Sequence, residues 1–128
     1  MAIDHTGIGV RDVALSAKFY DAALGALGLR RIAQVPKTGA ADAIGYGADF
    51  PTFWIDRFHP HGQKYHMAFA ARSRGEVDAF YNAAMSAGGT DNGAPGLRDT
   101  ASGYPPGYYA AFVLDPDGNN MEAVCREA

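Results

Sequence analysis

The chain has a single cysteine, Cys125, and so cannot close an internal disulfide. A reducing, cytoplasmic setting is the expectation that follows. No apolar run approaches the ~20 residues of a membrane helix, which argues against a membrane partner. The opening Met1-Ala-Ile-Asp-His5 has no basic stretch leading into an apolar one, so no secretory signal is expected. Neither sign of charge dominates. Eleven Lys and Arg stand against 14 Asp and Glu, which leaves no basic footprint for nucleic acid. What is present is 128 residues, 48% of them apolar. That is an ordinary globular balance at the length of one domain. The expected partner is a small-molecule substrate or a second copy of the chain.

The chain repeats itself at an offset of 61 residues. His5-Thr-Gly-Ile-Gly-Val10 aligns with His66-Met-Ala-Phe-Ala-Ala71, and Phe19-Tyr20-Asp-Ala-Ala23 with Phe80-Tyr81-Asn-Ala-Ala84. Gly28 then meets Gly89 in the same register. Each half reads as a strand, a helix and three further strands, with modules over 1–60 and 61–128. Residues 3–10 alternate as a half-buried strand. Asp12 is placed to cap a helix over 13–25, with Leu15, Phe19 and Ala23 as its apolar stripe. Ser73-Arg-Gly-Glu76 reads as a capping box, followed by Val77, Phe80, Tyr81, Ala84 and Met85 at helical spacing. Strands are expected at 29–35, 43–48 and 52–58, then weakly at 90–92, and at 108–115 and 119–126. Asp115-Pro-Asp-Gly118 is a type I turn signature that joins the last two as a hairpin. The Gly- and Pro-rich stretch 93–107 reads as a loop and a candidate lid. The fold class is α+β: two paired βαβββ modules around a cupped mixed sheet.

Strand alternation then places the candidate chemistry. If Ile8 and Val10 pack under a helix, His5 points the other way beside Gly7 and Gly9. Met67 and Phe69 likewise take the helix side and leave His66 on the open face with Ala68 and Ala70. Taken singly, either histidine reads as a core residue; their matched places in the repeat favour ligands. With Met121, Ala123 and Cys125 facing the helices, Glu122 joins the open face. Two imidazoles and a carboxylate suit a first-row divalent metal such as Zn, Fe, Mn, Ni or Co, with positions left for substrate. Aligning the hairpins at an offset of 68 puts Trp54 where the second half has Glu122, and tryptophan cannot bind a metal. Asp56 shares Trp54's face and is the one candidate there for a fourth ligand or a general base. Trp54, Phe58, Tyr108 and Tyr109 are the expected substrate-binding wall. His59 and His61 read as loop residues.

Ile3-Asp-His5 with Ile8-Gly-Val10, Phe19-Tyr20, His66 and Asp115-Pro-Asp-Gly-Asn-Asn-Met-Glu122 together resemble the vicinal oxygen chelate superfamily. It includes glyoxalase I, extradiol dioxygenases and the bleomycin and fosfomycin resistance proteins. The resemblance covers nearly the whole chain. It implies paired βαβββ modules around a divalent metal, and a substrate that chelates the metal through adjacent oxygens. By resemblance, His5, His66 and Glu122 match three of the four glyoxalase I ligands, while Trp54 departs from the fourth. In that enzyme the fourth carboxylate is tied to proton transfer, so the departure argues against the same activity. The implied function is metal-dependent Lewis-acid catalysis, of lyase or dioxygenase type, on a small oxygen-bearing substrate, aromatic ones included, with Glu122 and Asp56 as catalytic carboxylates. The alternative is a metal-free protein that sequesters a small molecule, as bleomycin resistance proteins do.

Overall fold

A computed structural model describes residues 3–126. The first module runs β1 (Thr6–Gly9), α1 (Val13–Gly25), β2 (Arg30–Val35), β3 (Ala43–Gly47) and β4 (Phe53–Asp56). The second runs β5 (His66–Ala70), α2 (Arg74–Ser86), β6 (Thr90–Leu97), β7 (Tyr109–Leu114) and β8 (Asn120–Cys125), with a 3-10 turn at Thr100–Ser102. Each module forms its own four-stranded mixed sheet, ordered β1-β4-β3-β2 and β5-β8-β7-β6. Both ends of α2 lie 61 residues beyond those of α1, so the sequence repeat is a structural one. No helix among the described residues is long and apolar enough to cross a membrane.

The helices begin where their caps predict. The Asp12 carboxylate accepts the Leu15 N–H, and the Ser73 hydroxyl accepts the Glu76 N–H. The return arm of the capping box differs. The Glu76 carboxylate takes the backbone N–H and the guanidinium of Arg72 instead of the Ser73 N–H. Gly28 and Gly88, both at positive φ, carry the chain out of α1 and α2. In α1 the buried arc is Val13, Ala17, Tyr20 and Leu24, with Phe19 and Ala23 beside it. Leu15, expected on the stripe, is 41% exposed.

The modules meet through their helices: α1 packs on α2, and one continuous core takes in Ile8, Tyr20, Phe53, Phe80 and Met121. Phe53 and Phe69 stack edge to face at 5.3 Å across the module boundary. The Asp115-Gly118 turn adds a polar clamp. The buried Tyr20 hydroxyl donates to Asp115 at 2.5 Å, and the Asp117 carboxylate accepts the Arg11 N–H at 3.2 Å. Asp115 also accepts the N–H groups of Asp117 and Asn119, so the turn that shapes the last hairpin also holds the first helix.

Among the described residues the two sheets do not join within one chain. Strands β1 and β5 are the outer strands of their sheets, and each carries its histidine at or just before its first residue. β6 is longer than expected and runs through Gly93, Pro95 and Gly96. It is an edge strand with two register shifts against β7, the setting in which proline and glycine are tolerated.

Candidate functional site

The helix-free face of the second sheet holds Glu122, set between Ala68 on β5 and Phe112 on β7. Glu122 is only 2% exposed. A carboxylate so removed from water needs partners for its oxygens. One oxygen accepts the Tyr108 hydroxyl, and the other lies 3.2 Å from His66 Nε2. His66 Nδ1–H faces the Asn120 carbonyl at 3.0 Å, so the neutral ring keeps its lone pair on Nε2, towards Glu122. Two acceptors face each other at a separation that suits either a shared proton or a shared cation. Donors about 2.0–2.2 Å from one ion and roughly at right angles stand about 3 Å apart, so this pair fits a divalent metal.

An apolar patch lies beside this pair. Tyr104 and Tyr108, with ring centroids 5.0 Å apart, pack with Ala110, Val124 and Phe112 as a small second cluster. Of the stretch 93–107, Tyr104 thus packs on the open face near Glu122, while 93–97 belongs to strand β6. Arg98 stacks over Phe112 at 5.1 Å and donates to the carbonyls of Ala94 and Ala110 at 2.6 Å each. No local sequence signal marks Arg98 for this place.

The open face of the first sheet is the counterpart. Gly7 pairs with Trp54 as Ala68 pairs with Glu122, so Trp54 stands where the second module has its carboxylate. The equivalence expected between Ile44 and Phe112 shifts by one residue. Ile44 pairs with Ile55 whereas Ala111 pairs with Ala123, because the second hairpin's turn is one residue longer. A cavity of about 430 Å³ is lined by His5, Thr6, Gly7, Trp54, Asp56 and His59. His5 Nδ1–H donates to the Asp4 carboxylate at 2.7 Å.

Asp56 is not a free base. Its Oδ1 accepts the N–H groups of Phe58 and His59 at 3.0 and 2.9 Å, and its Oδ2 accepts His59 Nδ1–H at 2.7 Å. The residue it serves, His59, was readable only as a loop histidine, although the Asp56-x-x-His59 spacing carries the signal. Two of the expected wall residues lie elsewhere. Tyr109 points to the helix side, where its hydroxyl donates to Asp78 at 2.7 Å and Arg74 stacks on its ring. Phe58 is 64% exposed and outside the cavity lining. Thus the structure brings His66, Glu122 and Tyr108 together, and places His5 with Trp54 and His59 on the other sheet. Among the described residues, no three His, Cys, Asp or Glu converge on one ion position.

Burial, and then the hydrogen bond to Glu122, push the Tyr108 phenol up to about 12. Burial raises Tyr20 and Tyr46 too, reinforced by Asp115 and Asp21. A raised folded-state value means the native state holds the proton after the unfolded chain, at about 10, has released it. The contribution is complete below pH ~10 and fades as pH rises towards these folded-state values. Phenolate absorbance followed alongside circular dichroism should show late-ionising tyrosines appearing only as the fold is lost. Complete ionisation near pH 10 with the fold intact would contradict this picture.

The family model described as Glyoxalase/Bleomycin resistance protein/Dioxygenase superfamily matches residues 2–123. Among solved structures, the chain is similar to a glyoxalase/bleomycin resistance protein from Albidiferax ferrireducens T118. The two are 34% identical over 97% of this chain and 98% of that one, with a TM-score of 0.74. TioX from Micromonospora sp. ML1 (13% identity, 98% and 99% covered, TM-score 0.71) shares the fold. So does a lactoylglutathione lyase from Agrobacterium tumefaciens (18%, 96% and 92%, TM-score 0.67). No curated protein matches in sequence. The duplicated modules, the Asp115-Gly118 turn leading to Glu122 and the family match over nearly the full length agree: the chain belongs to the glyoxalase/bleomycin resistance protein/dioxygenase superfamily.

Proposed function

We propose that the protein is a divalent-metal-dependent enzyme of lyase or dioxygenase type, with a centre built between two chains. His66 and Glu122 of one chain and His5 of a second would hold Zn, Fe, Mn, Ni or Co. The observation that carries this reading is the 3.2 Å approach of His66 Nε2 to the buried Glu122 carboxylate. Both side chains are fixed from behind, His66 by the Asn120 carbonyl and Glu122 by Tyr108, as metal ligands usually are. Two donors are too few for a catalytic ion, and His5 is the third open-face group at an equivalent place. β1, which follows His5, and β5, which begins at His66, are outer strands with one open edge each among the described residues, and an unpaired edge is a template for pairing with another chain. Pairing β1 of one copy with β5 of the other would bring the half-sites together in a homodimer.

When bound, such an ion supplies Lewis acidity that polarises a substrate carbonyl or hydroxyl. The chain's own residues would do the rest. Phe112, Tyr104 and Tyr108 form an apolar wall that excludes water, and Trp54 forms the facing wall. Their composition favours a small oxygen-bearing substrate with a planar or aromatic part.

Elemental analysis of protein purified without chelator tests the reading. About one divalent ion per chain is expected. Protein that neither retains nor, after reconstitution, takes up an ion near that ratio would overturn it. The metal-free sequestering reading then stands in its place. Its own support is Trp54 in the position of a ligand, and its own signature is quenching of Trp54 fluorescence by planar ligands in chelator-treated protein.

A further inference from the structure

Three histidines in this chain share a feature that ordinary surface histidines lack. In His5, His59 and His66 the Nδ1–H is tied to an oxygen, of Asp4, Asp56 and the Asn120 carbonyl respectively. Each ring thereby presents Nε2. An imidazole backed in this way by a carboxylate or carbonyl has its tautomer and ring plane set for a metal, and its basicity raised. His5 and His66 are already assigned by the proposed function. His59 is not, and it lines the same cavity as His5.

His59 is also held in place to an unusual degree for a loop residue. Asp56 is 6% exposed and spends both oxygens on this one segment, through the N–H groups of Phe58 and His59 and through the His59 ring. The backbone behind His59 lies hard against β1. A Cβ on Gly9 would come 2.1 Å from the His59 carbonyl oxygen and 2.4 Å from that of Pro60. Only glycine permits this approach, so the segment rests directly on the strand that follows His5. Val10 N–H completes the seam by donating to the Asp56 carbonyl at 2.8 Å.

The first sheet therefore has a gap and a candidate to fill it. Trp54 occupies the strand position equivalent to Glu122 and offers no ligand. Five residues later His59 returns an imidazole to the same cavity. We propose that His59, oriented by Asp56, is the fourth protein ligand of the metal centre and replaces the donor lost at Trp54. The set would be His5 and His59 from one chain with His66 and Glu122 from the other, three imidazoles and one carboxylate. Such a nitrogen-rich set favours Zn, Fe, Ni or Co over Mg or Ca. This inference rests on the two-chain metal centre proposed above.

The test uses the intact chain as purified and Co²⁺ or Zn²⁺ alone as probe. His59→Ala, which removes a ligand, should weaken metal affinity by more than about 100-fold, and Asp56→Asn by about 10-fold through loss of orientation, since groups that only support a ligand are worth about 10–100-fold. The visible bands of the Co²⁺ form should change in His59→Ala and return towards wild type when free imidazole is added. A purely structural role for His59 would not give that rescue. His61→Ala, in the same loop but outside the cavity lining, should leave affinity and spectrum unchanged. If His59→Ala binds Co²⁺ as wild type does, with an unaltered spectrum, while His66→Ala does not bind, the His59 assignment is wrong and the two-chain centre stands. If wild type binds neither metal, both fall.

Discussion

Replacing Glu122 with glutamine is expected to abolish stoichiometric metal binding while leaving the fold intact. Glutamine keeps the size of the side chain and an oxygen that accepts the Tyr108 hydroxyl. Its amide can donate to His66 Nε2, so no buried polar group loses its partner. What disappears is the anionic donor. The fall in affinity should exceed the ~100-fold upper range for groups that only orient a ligand. Titration calorimetry with Zn²⁺ or Co²⁺, read beside thermal unfolding in chelator, separates the two effects. Glu122→Ala is the contrasting variant. It leaves the Tyr108 hydroxyl without its acceptor in a closed setting, which costs about 1–3 kcal/mol of stability besides the metal. Unchanged metal affinity in Glu122→Gln would reduce the His66–Glu122 contact to an ion pair.

The second large effect is a gain. In the two-chain arrangement, His5 of one copy joins His66 and Glu122 of the other. A His5→Ala homodimer and a His66→Ala homodimer should each lack any complete centre. Unfolded together and refolded, they form mixed dimers in which the His66→Ala chain supplies His5 and the His5→Ala chain supplies His66 and Glu122. Each mixed dimer then recovers one intact centre, and its second centre lacks both histidines. Metal content should rise from near zero to about half the wild-type value in purified mixed dimers, since one centre in two is restored. If both ligands came from the same chain, no mixing could restore binding. Differently tagged chains allow the mixed species to be isolated, so a flat result would retire the two-chain centre.

The duplication carried most of what could be read beforehand. Matching His5 to His66 and Phe19-Tyr20 to Phe80-Tyr81 gave two helices whose ends agree with the structure and strand faces that agree at Ile8, Phe69, Met121 and Glu122. The Trp54–Glu122 equivalence also holds, because strand pairing preserves a two-residue period that a single sequence displays. Other features depend on contacts that no local pattern encodes. Leu15 has helical spacing to Phe19 and Ala23 but lies just outside the arc that α2 and the sheet cover. Tyr108 and Tyr109 are adjacent, and alternation sends only one of them to Glu122. Which one depends on the turn length of the second hairpin. β6 hides behind Gly93, Pro95 and Gly96 because an edge strand need not satisfy every N–H. The Asp56-x-x-His59 spacing hints at His59 locally, but the seat of its loop on Gly9, 50 residues away, is a contact that no local pattern encodes.

The reach of Tyr20 into the Asp115 turn bears on how the two halves came to depend on each other. An ancestral single module, doubling by self-association, would have had to satisfy every buried group from identical copies. Here the phenol of the first half is satisfied by a turn that the first half does not possess, since Asp49 and its neighbours supply no Asp-Pro-Asp-Gly. Excised alone, residues 3–60 would strand that hydroxyl and bare the apolar side of α1. The first half therefore depends on the second for the partner of a buried hydroxyl.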